Sequence, residues 1–257
     1  MYHSVAFGNK NTWDDFHLVP SSKPIILPPE VKTKIVDIPG GDGVIDLTES
    51  LTGYPVFGNR AGSFTFIVVD DSTWLMDQHI SWEESYQKLL SYIHGRKMKV
   101  VLEDDPKWYY EGRLTIADPK QYKNYSGITV EFDLGPYKWD LRDSQNAVTY
   151  DPFGAYTDVA PDTTFVNLAV STTPTEFIFD ETQLGIAPVS PYFNVSSTAG
   201  AGIILEYTDV RGDTREAVIP NGVYGVNDLI FSRNATLSMS CEAGTATVSI
   251  QFRKGTL

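Results

Sequence analysis

Several short stretches of the chain alternate apolar and polar residues, which is the pattern of β-strands that bury one face. In SFTFIVVD, the side chains of Phe64, Phe66 and Val68 share one side of the predicted strand. The same two-residue period runs through TVEFDL (129–134) and TATVSIQFR (245–253). Because the opposite face of these strands is largely polar, the pattern predicts antiparallel sheets with one solvent-facing side.

One segment, SWEESYQKLLSYIHG, has a helical period instead. Its apolar positions form a single stripe, made of Trp82, Tyr86, Leu89, Leu90 and Ile93. Ser81 and Glu84 have the spacing of a capping box, and Gly95 suits the left-handed position after a helix. We therefore predict an amphipathic helix over about residues 82–94 that packs on a sheet.

The length and a shift in composition predict two domains. The chain has 257 residues, and a domain usually takes about 100–200. All five tryptophans precede residue 140. We expect a first domain at 1–139, a turn-rich connector at 140–163 and a second domain at 164–257. Seven short strands indicate a β-sandwich there, around residues 164–170, 176–180, 191–196, 202–208, 214–219, 235–241 and 245–253.

Composition and charge exclude several classes of protein. A hydrophobic fraction of 42% with 12% aromatics is enough to build packed cores. The net charge of −13 disfavours tight binding of nucleic acid. No apolar run approaches the roughly 18 residues that span a bilayer, and no signal peptide is visible at the start. We expect a protein that is made and folded in a cytoplasm, with no membrane partner.

The adjacent carboxylates of Glu103, Asp104 and Asp105 raise the question of a metal site, a sugar-cleaving site or a plain turn. Neighbouring residues on a strand face opposite ways, and glycosidase carboxylates lie about 5–10 Å apart across a cleft. Pro106 fixes the backbone of a turn, and carboxylates keep its tip hydrated. We interpret the group as a turn, with calcium binding left open.

No other residue set converges on a reaction. The four histidines are scattered without a zinc-binding spacing, and neither a GxSxG elbow nor a Walker-type phosphate loop is present. Cys241 is the single cysteine and alternates with serines, so we predict a buried strand residue. The sequence therefore predicts no catalytic residue, no metal site and no cofactor, and the protein is not expected to be an enzyme.

Aromatic residues in the second half could stack on a glycan, and this alternative stays open. They are Tyr150, Phe153, Tyr156, Tyr192, Tyr207 and Tyr224. Residues 141–257 contain no Trp and no His, however, and most of these aromatics suit a core or an interface. The RGD sequence at Arg211–Asp213 is interpreted as a hairpin turn.

The ordered series of helix, HG, strand, EDDP, YY and GR within Leu89–Ile116 resembles the N-terminal domain of phage distal tail proteins (Dit), found in siphophages and prophages of Gram-positive bacteria. Further pieces match in the same order over about residues 1–140. They are Trp13–Ile26, Val31–Gly53, Phe57–Val68 and Gly127–Trp139. The ending TATVSIQFRKGTL is similar to the closing strand and tail of the family's second domain.

The resemblance implies a mainly β fold, in which an N-terminal β-sandwich-like domain with one packed α-helix precedes a C-terminal galectin-like β-sandwich. It implies a hexameric ring at the distal end of the phage tail, assembled in the bacterial host cytoplasm. The expected partners are the tail tube protein, the tail-associated lysin or tail-tip hub protein, and receptor-binding or baseplate proteins. DNA would pass through the channel without specific binding. The resemblance transfers no cofactor and no catalytic residue, and the sugar-binding residue set of galectins is absent.

A closed ring needs two different patches on each subunit, and unpaired strand edges are suited to such contacts. We predict that Val31–Gly53 and Phe57–Val69 supply part of this seam, with Arg60 and Phe64 as ring-interface residues. Two other classes stay open. One is a tail-tube or tail-completion ring protein, and the other is a carbohydrate-binding module that aids attachment to the host cell wall.

Overall fold

The computed structural model describes residues 2–68, 82–117, 120–121, 126–157, 159–160, 162–209 and 211–257. The chain divides into two compact units, each assembled from separate segments. The first unit comprises Met1–Glu30, Phe57–Leu141 and Tyr150–Asp158, and the second comprises Val31–Val56, Arg142–Thr149 and Val159–Leu257. The sequence-based limits of 1–139, 140–163 and 164–257 stay a prediction.

Strands dominate the described residues, which confirms the predicted mainly β class. In chain order the first elements are β1 (Val5–Phe7), β2 (Lys10–Asn11), β3 (Leu18–Pro20), β4 (Ile35–Asp37), β5 (Val44–Asp46), β6 (Arg60–Val68), α1 (Trp82–Ile93), β7 (Lys97–Leu102), β8 (Trp108–Ile116), β9 (Lys120–Gln121), β10 (Ser126–Leu134) and β11 (Lys138–Asp140). They are followed by β12 (Leu168–Ser171), β13 (Thr175–Phe179), α2 (Glu181–Leu184), β14 (Tyr192–Ser197), β15 (Ile203–Thr208), β16 (Thr214–Ile219), β17 (Gly222–Gly225), β18 (Ala235–Cys241), β19 (Thr245–Gln251) and β20 (Gly255–Thr256).

The first unit is built on an antiparallel sheet in the order β2-β1-β7-β8-β10-β6-β3. The helix α1 contributes Leu89 and Ile93, both fully buried, to the core of this sheet. Phe64 and Phe66 point into the same core while Thr65 is exposed, as the alternation predicts. The observed helix ends one residue before the predicted limit, and Ser81 of the predicted capping box lies outside the described residues.

Strand β8 presents its two adjacent tyrosines to opposite faces of the sheet. Tyr110 joins the core that contains α1, and Tyr109 joins a smaller cluster on the other side. Aromatic residues from the predicted connector cover this smaller cluster, namely Tyr150, Phe153 and Tyr156. These three rings therefore pack within the first unit and do not form a glycan platform.

The second unit contains two four-stranded antiparallel sheets, β12-β19-β14-β17 and β13-β18-β15-β16. Alternate residues of β14, β15, β18 and β19 enter one shared core, which includes Phe193, Leu205, Tyr207 and Ile250. Cys241 is buried in this core, as predicted. The sandwich confirms the predicted architecture, and a specific likeness to galectins stays a prediction.

Candidate oligomerisation surface

Strands β4 and β5 form a separate two-stranded hairpin within the second unit. The register pairs Ile35 with Asp46, Val36 with Ile45 and Asp37 with Val44. The PGGDG sequence makes the turn because Gly40 and Gly43 adopt positive φ angles of 75° and 85°, which other residues rarely tolerate.

The base of this hairpin is held by hydrogen bonds. The Leu47 amide donates to the Lys34 carbonyl oxygen at 2.8 Å, and the Lys34 amide donates to Thr48 Oγ1 at 3.0 Å. The Lys32 amide donates to the Val56 carbonyl oxygen at 2.8 Å. These bonds define the direction in which the hairpin extends, although all six of its strand residues remain exposed.

The two faces of the hairpin differ in chemistry. Directly opposed residues share a face in an antiparallel pair, so Val36 and Ile45 together form an apolar face. The other face combines Ile35 and Val44 with carboxylates. Hydrogen bonds from the Thr48 side chain and amide lower the pKa of Asp46 below its ordinary value, and this carboxylate is therefore ionised at neutral pH.

The hairpin segment exposes many apolar side chains. Exposed apolar side chains of the hairpin segment are Val31, Ile35, Val36, Ile38, Val44, Ile45, Leu47 and Leu51. Leu51 is 95% exposed and Ile45 is 48% exposed. An isolated two-stranded hairpin is marginally stable in water, and exposed apolar side chains concentrated in one segment are typical of interaction surfaces.

A short arm in the first unit carries a second set of exposed apolar residues. Pro24 and Pro29 are buried, whereas Ile25 and Leu27 between them are 63% and 67% exposed. The prolines favour an extended backbone, and the Gly58 amide donates to the Glu30 carbonyl oxygen at 2.8 Å. The arm is thus anchored at intervals and presents apolar side chains outward.

The two residues predicted for the ring interface lie inside the first unit. Arg60 is 5% exposed and Phe64 is 3% exposed. The Phe64 ring packs 4.7 Å from the Phe132 ring, measured between centroids, and Arg60 donates to two backbone carbonyls. Both side chains are buried within the chain, so their role in a ring interface stays a prediction, and exposed residues are the stronger candidates for the seam. Val69, which ends the predicted segment, lies outside the described residues.

Sequence reasoning named the Val31–Gly53 segment as part of a seam, which stays a prediction, but it did not foresee which of its residues are exposed or that the arm is exposed. The signal was present in VKTKIVDIPGGDGVIDLTES, where apolar residues fall on both faces of two short strands. Two strands of three residues cannot bury such side chains against each other. The exposure of Ile25 and Leu27 had no comparable signal, because the sequence does not show which residues of the arm are buried.

The carboxylates of the EDDP turn are separated by their individual partners. Glu103 accepts a hydrogen bond from the Ser4 amide at 2.7 Å. Asp104 lies 2.9 Å from His3 Nδ1, and Asp105 lies 2.6 Å from Lys138 Nζ. Each carboxylate is thus engaged in a different contact, and no group of three or more metal-ligating side chains occurs among the described residues. The turn is architectural in this structure.

Two tyrosines of the second half remain exposed. They are Tyr192 in β14 and Tyr224 in the edge strand β17. Tyr207 is buried in the sandwich core, and Arg211–Asp213 forms the turn between β15 and β16, with Gly212 at a φ of 87°.

Comparison with solved structures gives a likeness that covers nearly the whole chain. No protein-family model and no curated protein matches the sequence. Among solved structures, the chain is similar to the crystal structure of the SPP1 Dit (gp 19.1) protein, described as a paradigm of the hub adsorption apparatus in phages that infect Gram-positive bacteria. The TM-score is 0.58 at 11% identity, and the alignment covers 98% of this chain and 99% of that one. This likeness confirms, at the level of the fold, the resemblance to Dit proteins inferred from sequence.

Proposed function

We propose that this chain is a structural hub protein of a phage tail tip, which forms a ring at the distal end of the tail. The observation that carries the proposal is the fold match to SPP1 Dit over nearly the whole of both chains. A match to one domain alone would be compatible with many functions, because folds are shared among unrelated proteins. Agreement across both units supports a common architecture.

The exposed hairpin supports assembly into a ring. A ring with rotational symmetry joins one patch on each subunit to a different patch on the next. The apolar face of Val36 and Ile45 and the arm residues Ile25 and Leu27 are two such patches. Burial of apolar surface contributes about 25 cal/mol per Å², so covering these side chains favours association. Six subunits are proposed from the sequence resemblance to the Dit family.

The proposed ring joins the tail tube to the tail-tip or baseplate proteins, including a lysin-like hub protein and receptor-binding proteins. Its central channel lets DNA leave the tail without specific binding. The net charge of −13 is compatible with this role, because an acidic wall repels phosphate and does not retain it. In this proposal the protein has no catalytic step, and its function is mechanical connection within the virion.

The proposal is tested by the mass and shape of the purified full-length protein. Light scattering after size exclusion should give about six times the 28.6 kDa of one chain, with a mass that falls on dilution if the contacts are weak. Electron micrographs of the same fraction should show rings with a central hole. A chain that stays at 28.6 kDa at its highest soluble concentration, without rings, would contradict the proposal.

A second measurement separates a distal hub from a tail-tube or tail-completion protein, which also forms rings. The ring should bind the tail-associated lysin-like protein encoded by the same phage or prophage on one face and the tail tube protein on the other. Self-stacking of the rings into long tubes, with no binding of the lysin-like protein, would instead favour a tail-tube or tail-completion protein.

A further inference from the structure

The outer face of the sheet β12-β19-β14-β17 carries no charged side chain. Its outward residues alternate with buried Phe193, Val195, Val248 and Ile250. The central ones are Tyr192, Asn194, Ser196, Thr247, Ser249 and Gln251. The outer face of the other sheet is acidic. Glu206 lies opposite Glu216 on one side and opposite Ser238 on the other, and Ser238 in turn lies opposite Glu176. Of the two sheets, only the first has a neutral outer face, although the whole chain carries a net charge of −13.

Tyr192 provides an aromatic platform on this neutral face. Its ring lies across Gly225 of the neighbouring strand, where an added Cβ would come within 3.2 Å of the ring. The glycine thus allows the ring to rest on the backbone, and 55% of the tyrosine surface is still exposed. A ring supported on one side and open on the other can stack on a flat apolar surface.

Free amide groups lie beside this ring. Gln251 in β19 lies directly opposite Tyr192 in β14. Asn194 lies two residues after Tyr192 in β14, on the same face of the sheet. Within the described part of the chain, neither side-chain amide has a hydrogen-bond partner. The amide side chains of Asn146 and Asn221, in contrast, are engaged with backbone groups. Each free amide offers a donor and an acceptor to a ligand.

A cavity of about 480 Å³ opens at the same end of the sheet. It is lined by Tyr192 and Gln251 together with Asp143, Ser190 and Arg253. Its wall is held in place because the Ser144 amide donates to the Phe252 carbonyl oxygen at 3.0 Å. Asp143 Oδ1 accepts hydrogen bonds from the amides of Gln145 and Ala147. The other oxygen of this carboxylate has no such partner among the described residues.

We propose that this surface, defined by Tyr192, Asn194, Gln251 and Asp143, binds a neutral polysaccharide. A pyranose ring has an apolar C–H face that stacks on an exposed tyrosine, and vicinal hydroxyls that pair with amide and carboxylate groups. The cavity holds both Asp143 and Arg253, so it is the net charge of −13 of the whole chain that disfavours an anionic polymer. A lipid surface would require a larger continuous apolar area. This inference goes beyond the proposed function and does not require a ring.

The test begins with a glycan array probed with the full-length protein. Neutral probes are maltoheptaose, cellohexaose, chitotetraose and β-galacto-oligosaccharides, and heparin is the anionic comparison. Wild-type protein is expected to bind at least one neutral probe, and calorimetry with that probe gives the dissociation constant. Binding of heparin alone, or no binding of any neutral probe at millimolar concentration, would overturn the proposal.

Variants then assign the binding to this surface. Tyr192→Ala should weaken binding at least about tenfold, whereas Tyr192→Phe, which keeps the ring, should stay within about threefold of wild type. Gln251→Ala should weaken binding without changing the melting temperature. Tyr2→Ala removes an equally exposed tyrosine from the first unit and serves as the matched control. Undiminished binding by Tyr192→Ala would refute the assignment.

The mass of every sample is measured alongside binding, so the two proposals fail separately. A hexameric ring that binds no neutral glycan would contradict only the proposed saccharide site. A monomer that binds glycan through Tyr192 would contradict only the proposed assembly into a ring.

Discussion

Arg60 donates a hydrogen bond from Nη1 to the carbonyl oxygen of Leu27 at a distance of 2.8 Å. Its Nε donates to the carbonyl oxygen of Pro136, also at 2.8 Å, and its guanidinium lies 5.3 Å from the centroid of the Tyr110 ring. One buried cation therefore ties the exposed arm to the end of β10. Burial lowers the pKa of Arg60 below its ordinary value, yet a guanidinium stays charged at any physiological pH.

Replacing Arg60 should destabilise the first unit without any direct effect on an interface. Arg60→Met leaves two partly buried carbonyls without a donor and replaces a buried guanidinium, and we expect a loss of about 1–3 kcal/mol in the free energy of unfolding. Urea unfolding followed by tryptophan fluorescence measures this loss. Arg96→Met, at an exposed position, should change the free energy by less than about 0.5 kcal/mol. Equal stability of the two variants would show that the arm is not held by Arg60.

Gly112 is required where β8 and β10 approach each other closely. A Cβ at this position would lie 2.1 Å from the carbonyl oxygen of Asp133, a backbone atom that cannot move aside. Gly112→Ala should cost about 3 kcal/mol or more, or prevent folding. Gly135→Ala is the matched control, because its Cβ would meet the Glu111 carbonyl oxygen at 3.5 Å, an ordinary contact. Circular dichroism melting of both variants tests the difference, and similar melting temperatures would contradict it.

Hydrophobic periodicity was sufficient to predict α1 and most strands of the sandwich, because in those segments one face is buried and the other is exposed. Strand β17 was missed for a physical reason. Its sequence GVYG contains two glycines, and at this edge position both Val223 and Tyr224 are exposed. No alternation exists there for a sequence pattern to detect.

The sequence allowed the hairpin segment Val31–Gly53 to be named as a candidate site, but it did not show which individual residues are exposed. The two-residue period already places Phe64 on the same side as Phe66, so its burial in the core of the first unit follows from the pattern itself. The burial of Arg60 had no such signal, because it depends on carbonyls 33 and 76 residues away in the chain. Tertiary contacts of this range cannot be read from local spacing.

Polar substitutions on the hairpin should weaken assembly while leaving the fold intact. Val36→Ser with Ile45→Ser changes two exposed side chains that face the same way, so the melting temperature at low concentration should not fall. Ring association should weaken at least about tenfold, since the apolar face is lost. Sedimentation velocity over a concentration series gives the oligomer fraction.

The control for this prediction uses two exposed apolar residues of the sandwich. Ile178→Ser with Val218→Ser removes comparable exposed surface and should leave the oligomer fraction unchanged. If both double variants assemble like the wild type, the hairpin is not part of the seam.

Calcium should not stabilise the protein through the EDDP turn. Asp104 is paired with His3 and Asp105 with Lys138, so binding of a cation would have to displace existing partners. We expect addition of millimolar calcium to shift the melting temperature by less than about 1 °C, as measured by differential scanning fluorimetry with EDTA as reference. A rise of several degrees that is abolished in Asp104→Asn would instead establish a calcium site at this turn.

Tyr150 should make the first unit sensitive to alkaline pH. Burial raises the pKa of Tyr150 well above its ordinary value, and the neighbouring Tyr92 adds to the shift. The hydroxyl also donates to the Gly8 carbonyl oxygen. Below pH of about 10, the ordinary pKa of an unfolded tyrosine, both states are protonated and the contribution to stability is complete. Above that pH the unfolded state ionises first, so stability falls as pH rises towards the folded-state pKa.

The stability lost in Tyr150→Phe, relative to the wild type, should therefore shrink as pH rises above about 10. Near pH 8 the variant loses one hydrogen bond and about 1 kcal/mol, whereas between pH 10 and 11 its stability should fall less steeply than that of the wild type. Burial also raises the pKa of Tyr110, so the free energy of unfolding of the variant should still fall with rising pH, but less steeply. Urea midpoints at several pH values measure both slopes, with Tyr224→Phe at the exposed edge strand as control. Parallel slopes for wild type and Tyr150→Phe would show that this phenol is not protected from ionisation by the fold.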